Sequence, residues 1–304
     1  MIEYEKFEDF DVYSEKSERQ FRYIYINQQN FYEKLCQFLL TPETLHLHAT
    51  LNIDANIELT KENYREIYNR LIQFIDFEKV INIDETLDPA IKAILDAELF
   101  SPTADLRRDK WGRIGEYIFN IILDSYFKLD CVIRKFALNT SPNMPIYGID
   151  TVHCSIENKK MYFGESKCVT NISNGVKLIN ESLANYEAQI AKEYFTLSNT
   201  NFKQNPKFSS TYGTYMDTCL TFYEFLSELD MKFIGVPIFI AHAGKFDVES
   251  VFEQLRNINR KNLFGLETEY IAISFPLVDK DKFREKFIEE ANNQLEIIAA
   301  CRKK

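Results

Sequence analysis

Three residues near the middle of the chain have the types and spacing to do chemistry. Asp150 lies in Gly148-Ile149-Asp150, and Glu165 and Lys167 lie in Phe163-Gly164-Glu165-Ser166-Lys167. Both segments read as strands, over 147–156 and 160–169, joined by the polar turn Glu157-Asn158-Lys159. Side chains alternate along a strand, so Glu165 and Lys167 share a face. The hairpin puts Asp150 roughly opposite them, because the two segments lie at similar distances from the turn. Two carboxylates beside an ammonium suit phosphodiester hydrolysis. Mg2+ takes oxygen ligands and is held by one or two carboxylates, with water and substrate phosphate filling its shell. Asp150 and Glu165 would supply the carboxylates and the Ser166 carbonyl a third oxygen, for Mg2+ or Mn2+. Such an ion acidifies bound water and offsets charge developing at phosphorus. Lys167 would position that water, help deprotonate it, or face the transition state as a point charge. Without a cation the carboxylates would repel each other and rise in pKa.

The acid-x-Lys triplet alone is weak, since Glu157–Lys159 and Asp230–Lys232 repeat it. The first falls in a turn, and the second precedes a strand with no acid-bearing strand before it. The plain alternative for Glu165 and Lys167 is a solvated ion pair worth ~0–1 kcal/mol. A glycine within two residues of each acid, Gly148 and Gly164, leaves room for close approach of a ligand or backbone.

Glu116 is a fourth candidate. It lies on a helix predicted over 109–127, off the apolar stripe set by Ile114, Ile118 and Ile121 and towards the edge where the site would lie. Its plain alternative is an exposed helix glutamate. Arg107, Arg108, Lys110 and Arg113 nearby are candidate phosphate contacts or simply a solvated first turn. Other chemistry is poorly supported. His46 and His48 could share a strand face as metal ligands, but no third ligand follows at suggestive spacing. His153 and Cys154 point opposite ways and cannot form a nucleophile–base pair. No phosphate-cradling loop or dinucleotide fingerprint occurs, so no nucleotide cofactor is expected.

The elements that must position these residues alternate. After the 109–127 helix come candidate strands over 131–138 and the 147–169 hairpin, a helix over 174–196, and an Asn/Ser/Thr-rich loop over 197–214. A helix over 218–229, an apolar strand at 233–241 that contains Pro237, a strand over 270–277 and a terminal helix over 281–301 complete the order. This predicts an α/β sandwich with a mixed sheet. Upstream, helices over 31–40, 60–77 and 88–99 and a strand over 45–53 suggest a separate α+β region, with a weak boundary near residue 100.

Composition sets the limits. At 304 residues, 45% hydrophobic, the chain can bury a sizeable core and is not disordered. No stretch approaches the ~18–20 apolar residues of a membrane span, and no signal peptide is visible. Six scattered cysteines read as reduced thiols, so a cytoplasmic location is expected. The net charge of −10 sits entirely in residues 1–100, which hold 20 acidic and 10 basic residues. The neutral remainder can still offer a local basic groove, but the molecule should not grip DNA strongly unaided.

On Gly148-Ile149-Asp150 and Gly164-Glu165-Ser166-Lys167, with Glu116 upstream, the chain resembles the PD-(D/E)xK nuclease superfamily. Ile149 stands where that motif's variable proline would be. The pattern YGIDTVH … FGESK is similar to the HamA family, the nuclease subunit of the Hachiman anti-phage defence system. The resemblance implies a restriction-endonuclease-like core over 101–304, a mixed sheet flanked by helices. An N-terminal α+β extension over 1–100 would bind a partner. It further implies a Mg2+- or Mn2+-dependent deoxyribonuclease with Glu116, Asp150, Glu165 and Lys167 as catalytic residues and Asp150, Glu165 and Ser166 at the metal. DNA and a HamB-like DNA helicase would be its partners. The competing expectations are a non-catalytic adaptor that keeps the fold and binds a helicase, and a structural metal protein built on His46 and His48.

Overall fold

The computed structural model describes residues 1–41 with short gaps at 9, 18–20 and 28–30, then Asn63 and Ile67. It continues over residues 106–133, 148–155, 157–198, 206–244, 247–277 and 279–301. Eight strands form one mixed sheet: β1 (Ile2–Phe7), β2 (Phe10–Ser17), β3 (Phe21–Asn27), β4 (Asp130–Ile133), β5 (Thr151–Ser155), β6 (Lys160–Val169), β7 (Phe233–His242) and β8 (Glu267–Pro276). Their order is β1-β2-β3-β8-β7-β6-β5-β4. The four inner strands β3, β8, β7 and β6 run parallel, and antiparallel strands extend the sheet on both sides. The helices are α1 (Phe31–Leu39), α2 (Leu106–Ser125), α3 (Ile172–Ala184), α4 (Tyr186–Ser198), α5 (Pro206–Thr218), α6 (Phe222–Glu228), α7 (Val248–Leu255) and α8 (Lys280–Cys301). None of the described helices is long and apolar enough to cross a membrane.

The chain divides into two compact units. One comprises residues 1–29, 115–135 and 147–278 and holds the whole sheet. The other comprises 30–114, 136–146 and 279–304; in it α1 packs against α8, where the buried Cys36 thiol lies 4.0 Å from the Phe283 carbonyl oxygen. The element order places a weak boundary near residue 100. Among the described residues, the first 27 instead join the sheet through β3 and β8.

The sheet's interior strands are buried on both faces, which is why β7 (FIGVPIFIAH) shows no alternation. Pro237 fits inside it because the β6–β7 pairing lapses there without a change of register. Pairing holds at Tyr162 with Gly235 and resumes at Glu165 with Ile238, while β8 pairs straight past Pro237.

Several elements depart from expectation. Strands β1 to β3 and helix α7 were not anticipated. The helix expected over 174–196 is two helices, broken at Asn185, whose φ of −117° and ψ of 23° end α3. The loop expected over 197–214 contains the start of α5. A cap at Thr221, reciprocated by Glu224, starts α6 afresh three residues after α5 ends. The expectations over 45–53 and 88–99, and His46 and His48 with them, lie outside the described residues. Of 60–77 only Asn63 and Ile67 are described; both are helical, and Ile67 is buried as its place on the apolar stripe requires.

Candidate active site

Antiparallel pairing of β5 and β6 sets Thr151 against Gly164, and one further step puts Asp150 level with Glu165. The turn at 157–159 is where the sequence placed it, with Lys159 in the left-handed region at φ 49°. Asp150 itself stands just before β5 rather than inside it, a correction to the expected strand over 147–156. Its N–H donates to the Gly164 carbonyl at 3.1 Å. Its Oδ2 accepts from the Ser166 N–H at 2.6 Å and the Ser166 hydroxyl at 2.9 Å.

The alternation along β6 sorts the residues between two helices. Gly164 faces α2, where an added Cβ would lie 2.7 Å from the Phe119 ring and 2.4 Å from the Thr151 methyl. Cys168 faces Gly115 of the same helix. Glu165 and Val169 face α3, beside Ser182 and Gly175 respectively. Lys167 shares their side and pairs with Glu165, Nζ to Oε1 at 2.5 Å. Glu165 is 8% exposed and Lys167 25%.

Burial and the nearby Asp150 charge push the Glu165 carboxyl above its ordinary value, with Lys167 acting against them. Burial works to lower Lys167, but the charges of Glu165, Asp150 and Glu116 outweigh it and raise its pKa. The charges of all three acids thus act on Lys167. Glu116 acts at longer range. It sits on α2, the helix on the other face from Glu165 and Lys167, and is the weakest of the three acids acting on Lys167. Three carboxylates around one ammonium leave a surplus of two negative charges, which a divalent cation would neutralise. Asp150, Glu165 and the carbonyl of Ser166, which follows Glu165 directly, make an all-oxygen set of the kind a hard cation takes. Glu116 does not close with those two acids into a three-ligand cluster. Among the described residues, the cluster with ligand atoms all within 4.8 Å is Asp124, Cys131 and His153.

Sequence reasoning missed Glu193 of α4. Its Oε1 accepts the Ile149 N–H, and its charge, with those of Glu165 and Asp150, falls on the buried Tyr186 hydroxyl, which donates to the Phe163 carbonyl at 3.0 Å. The space beside Gly148 is therefore not left for a ligand. An added Cβ would lie 1.2 Å from Glu193 Oε1, and the φ of +128° requires glycine in any case. Nothing in the spacing of residues 148 and 193 signals this contact. Of the four basic residues expected to meet phosphate, Arg113 is buried, at 7% exposure. The side chains of Arg107, Arg108 and Lys110 lie outside the described residues.

A family model described as HamA matches residues 5–291 of the chain. No match is found among curated proteins or among solved structures.

Proposed function

The chain belongs to the HamA family, whose members are associated with Hachiman defence, and from that premise we propose that it is a metal-dependent deoxyribonuclease, the DNA-cutting effector of an anti-phage complex with a HamB-like helicase. The observation that carries this reading is the held Lys167 ammonium, paired to Glu165 and raised by the charges of Glu165, Asp150 and Glu116. An isolated surface ion pair would be neither this buried nor shared among three acids. The hairpin β5–β6 followed by α3 and the parallel strand β7 is the arrangement a PD-(D/E)xK core requires, and it supports that assignment.

Asp150 and Glu165 would hold the ion, with the Ser166 carbonyl as a third oxygen. A bound Mg2+ or Mn2+ supplies a Lewis acid for the phosphate and a lowered pKa for water. Ser166 orients Asp150 by giving Oδ2 two hydrogen bonds. Lys167, kept protonated by its acidic neighbours, faces the anionic phosphate and orients the attacking water. Glu116 helps keep that ammonium charged. Because the positive charge needed to hold DNA is scarce, with a net −10 over the chain, the helicase would deliver the substrate. The acidic N-terminal third is the proposed surface for that partner.

Plasmid cleavage with Mg2+ or Mn2+, with and without the helicase, tests the reading. Wild type should cut and Asp150→Asn and Lys167→Ala should not. Equal cleavage by all three would discredit the site. Absence of cleavage under every condition, with helicase binding intact, would favour a non-catalytic adaptor.

A further inference from the structure

Helix α2 carries Glu116, Asn120 and Asp124 four residues apart, so the three lie along one stripe. Asn120 is fixed from both ends. Its Nδ2 donates to the Glu116 carbonyl at 2.8 Å, and its Oδ1 accepts the Thr151 hydroxyl at 2.5 Å. Thr151 has only one proton, and Asn120 takes it. The Thr151 oxygen, 2.9 Å from His153 Nδ1, must therefore accept from that nitrogen, which fixes Nδ1 as the protonated one. The other ring nitrogen, Nε2, then points at Asp124 and Cys131.

His153 is fully buried, and its Nε2 makes no hydrogen bond of acceptable geometry among the described residues. It lies 3.2 Å from Asp124 Oδ1. Pairing of β4 with β5 sets Cys131 directly across from His153, and the register slips just beyond, between Cys131 and Ile133. Irregularities of this kind re-aim side chains at sites. One atom each from Asp124, Cys131 and His153 falls within 4.8 Å of the other two. Ligands at ~2.0–2.3 Å around one tetrahedral ion stand roughly 3.3–3.7 Å apart; the 3.2 Å between His153 Nε2 and Asp124 Oδ1 is close to this, and an ion would draw the remaining atom in from within 4.8 Å.

We infer that Asp124, Cys131 and His153 bind a divalent transition metal of the zinc type at a structural site that ties the edge strand β4 and strand β5 to helix α2. The ligand set decides the ion. One thiolate, one imidazole and one carboxylate suit a borderline metal, whereas Mg2+ and Ca2+ take oxygen alone. The Thr151 acceptor behind Nδ1 is the outer support that metal-binding histidines use to fix their ring. The Cys131 thiol donates to Asn120 Oδ1 at 3.8 Å; a metal that displaced its proton would have a thiolate and a carboxylate to balance its two positive charges. Asp124 is the most exposed of the three side chains, at 9%. The site shares no ligand with Asp150 and Glu165, and the inference does not depend on DNA cleavage.

The test uses the purified full chain with Zn2+ and Co2+ as probes. About one Zn2+ per chain should survive dialysis, and Co2+ should give a thiolate charge-transfer band in the near ultraviolet. Cys131→Ser should abolish that band and His153→Gln should abolish stoichiometric binding. Asp150→Asn and Glu165→Gln should leave both intact, which separates this ion from any at the proposed nuclease site. Should the first two variants fail to fold, Asp124→Asn should weaken Zn2+ binding by more than the about tenfold that loss of an outer-shell partner costs. Absence of stoichiometric Zn2+ and of the Co2+ band in wild type overturns the inference. A band that persists in Cys131→Ser, or an unchanged affinity in Asp124→Asn, overturns it equally.

Discussion

The Asp150 carboxylate accepts both the backbone N–H and the hydroxyl of Ser166, at 2.6 and 2.9 Å, through a single oxygen. Ser166 is the unnamed middle of an acid-x-Lys triplet, yet it orients the acid of the neighbouring segment. Ser166→Ala keeps the N–H bond and loses the hydroxyl. Cleavage should fall about tenfold, the lower end for removal of an orienting partner. Asp150→Asn should cost about 100-fold or more. Single-turnover cleavage at saturating Mg2+ checks both.

Gly148 and Glu193 are coupled by contact. Gly148→Ala meets Glu193 and a φ that L residues rarely adopt, and should destabilise the protein by roughly 1–3 kcal/mol. In the Glu193→Ala background the steric part disappears and only the backbone cost remains. A double-mutant cycle by thermal unfolding should show that non-additivity.

The pH dependence of stability follows from Glu165. Its carboxyl is raised in the folded protein, so the folded state binds the proton more tightly than the unfolded chain. In metal-free protein stability should therefore fall as pH rises from the ordinary glutamate value, 4.5, to the raised one. A divalent cation favours the charged carboxylate and should offset that loss. Tm measured against pH, with chelator and with Mg2+, should converge at low pH and separate as pH rises. Glu165→Gln should erase the separation.

Partner binding needs a gentler test than truncation. Deleting residues 1–80 would remove β1 to β3 and bare the edge of β8, so loss of helicase association would not be specific. Glu3 and Glu8 are exposed on and just after the edge strand β1. Glu3→Lys with Glu8→Lys should leave Tm within about 1 kcal/mol of wild-type stability and weaken helicase capture in proportion to salt-sensitive attraction. Unchanged capture would move the proposed surface elsewhere.

The local parts of this architecture could be read directly. Strand β6 runs over the residues its pattern marked, its turn falls at 157–159, and Glu165 and Lys167 share a face because alternation demands it. What stayed hidden depends on distant partners. Strands β1 to β3 carry charged and aromatic residues in mixed order, and only the pairing of β3 with β8 makes them strands of this sheet. Asn185 breaks a continuous apolar stripe through backbone conformation, which periodicity does not report. His153 looked idle beside Cys154 because its neighbours, Cys131 and Asp124, arrive through strand pairing and a helix packed above. Arg113 was expected at the surface from its charge alone, and its burial is a packing outcome.

Phe21 pairs with Tyr270 and Tyr25 with Ser274, so the inner sheet joins segments far apart in sequence. During synthesis β3 leaves the ribosome first and waits for β8, while β6, bearing Glu165 and Lys167, waits for β7. A nascent chain that has not passed residue 233 holds the key acids and lysine on an open edge without the neighbour that buries them. The buried setting of Glu165 and Lys167 therefore depends on a strand, β7, made well after the one that carries them.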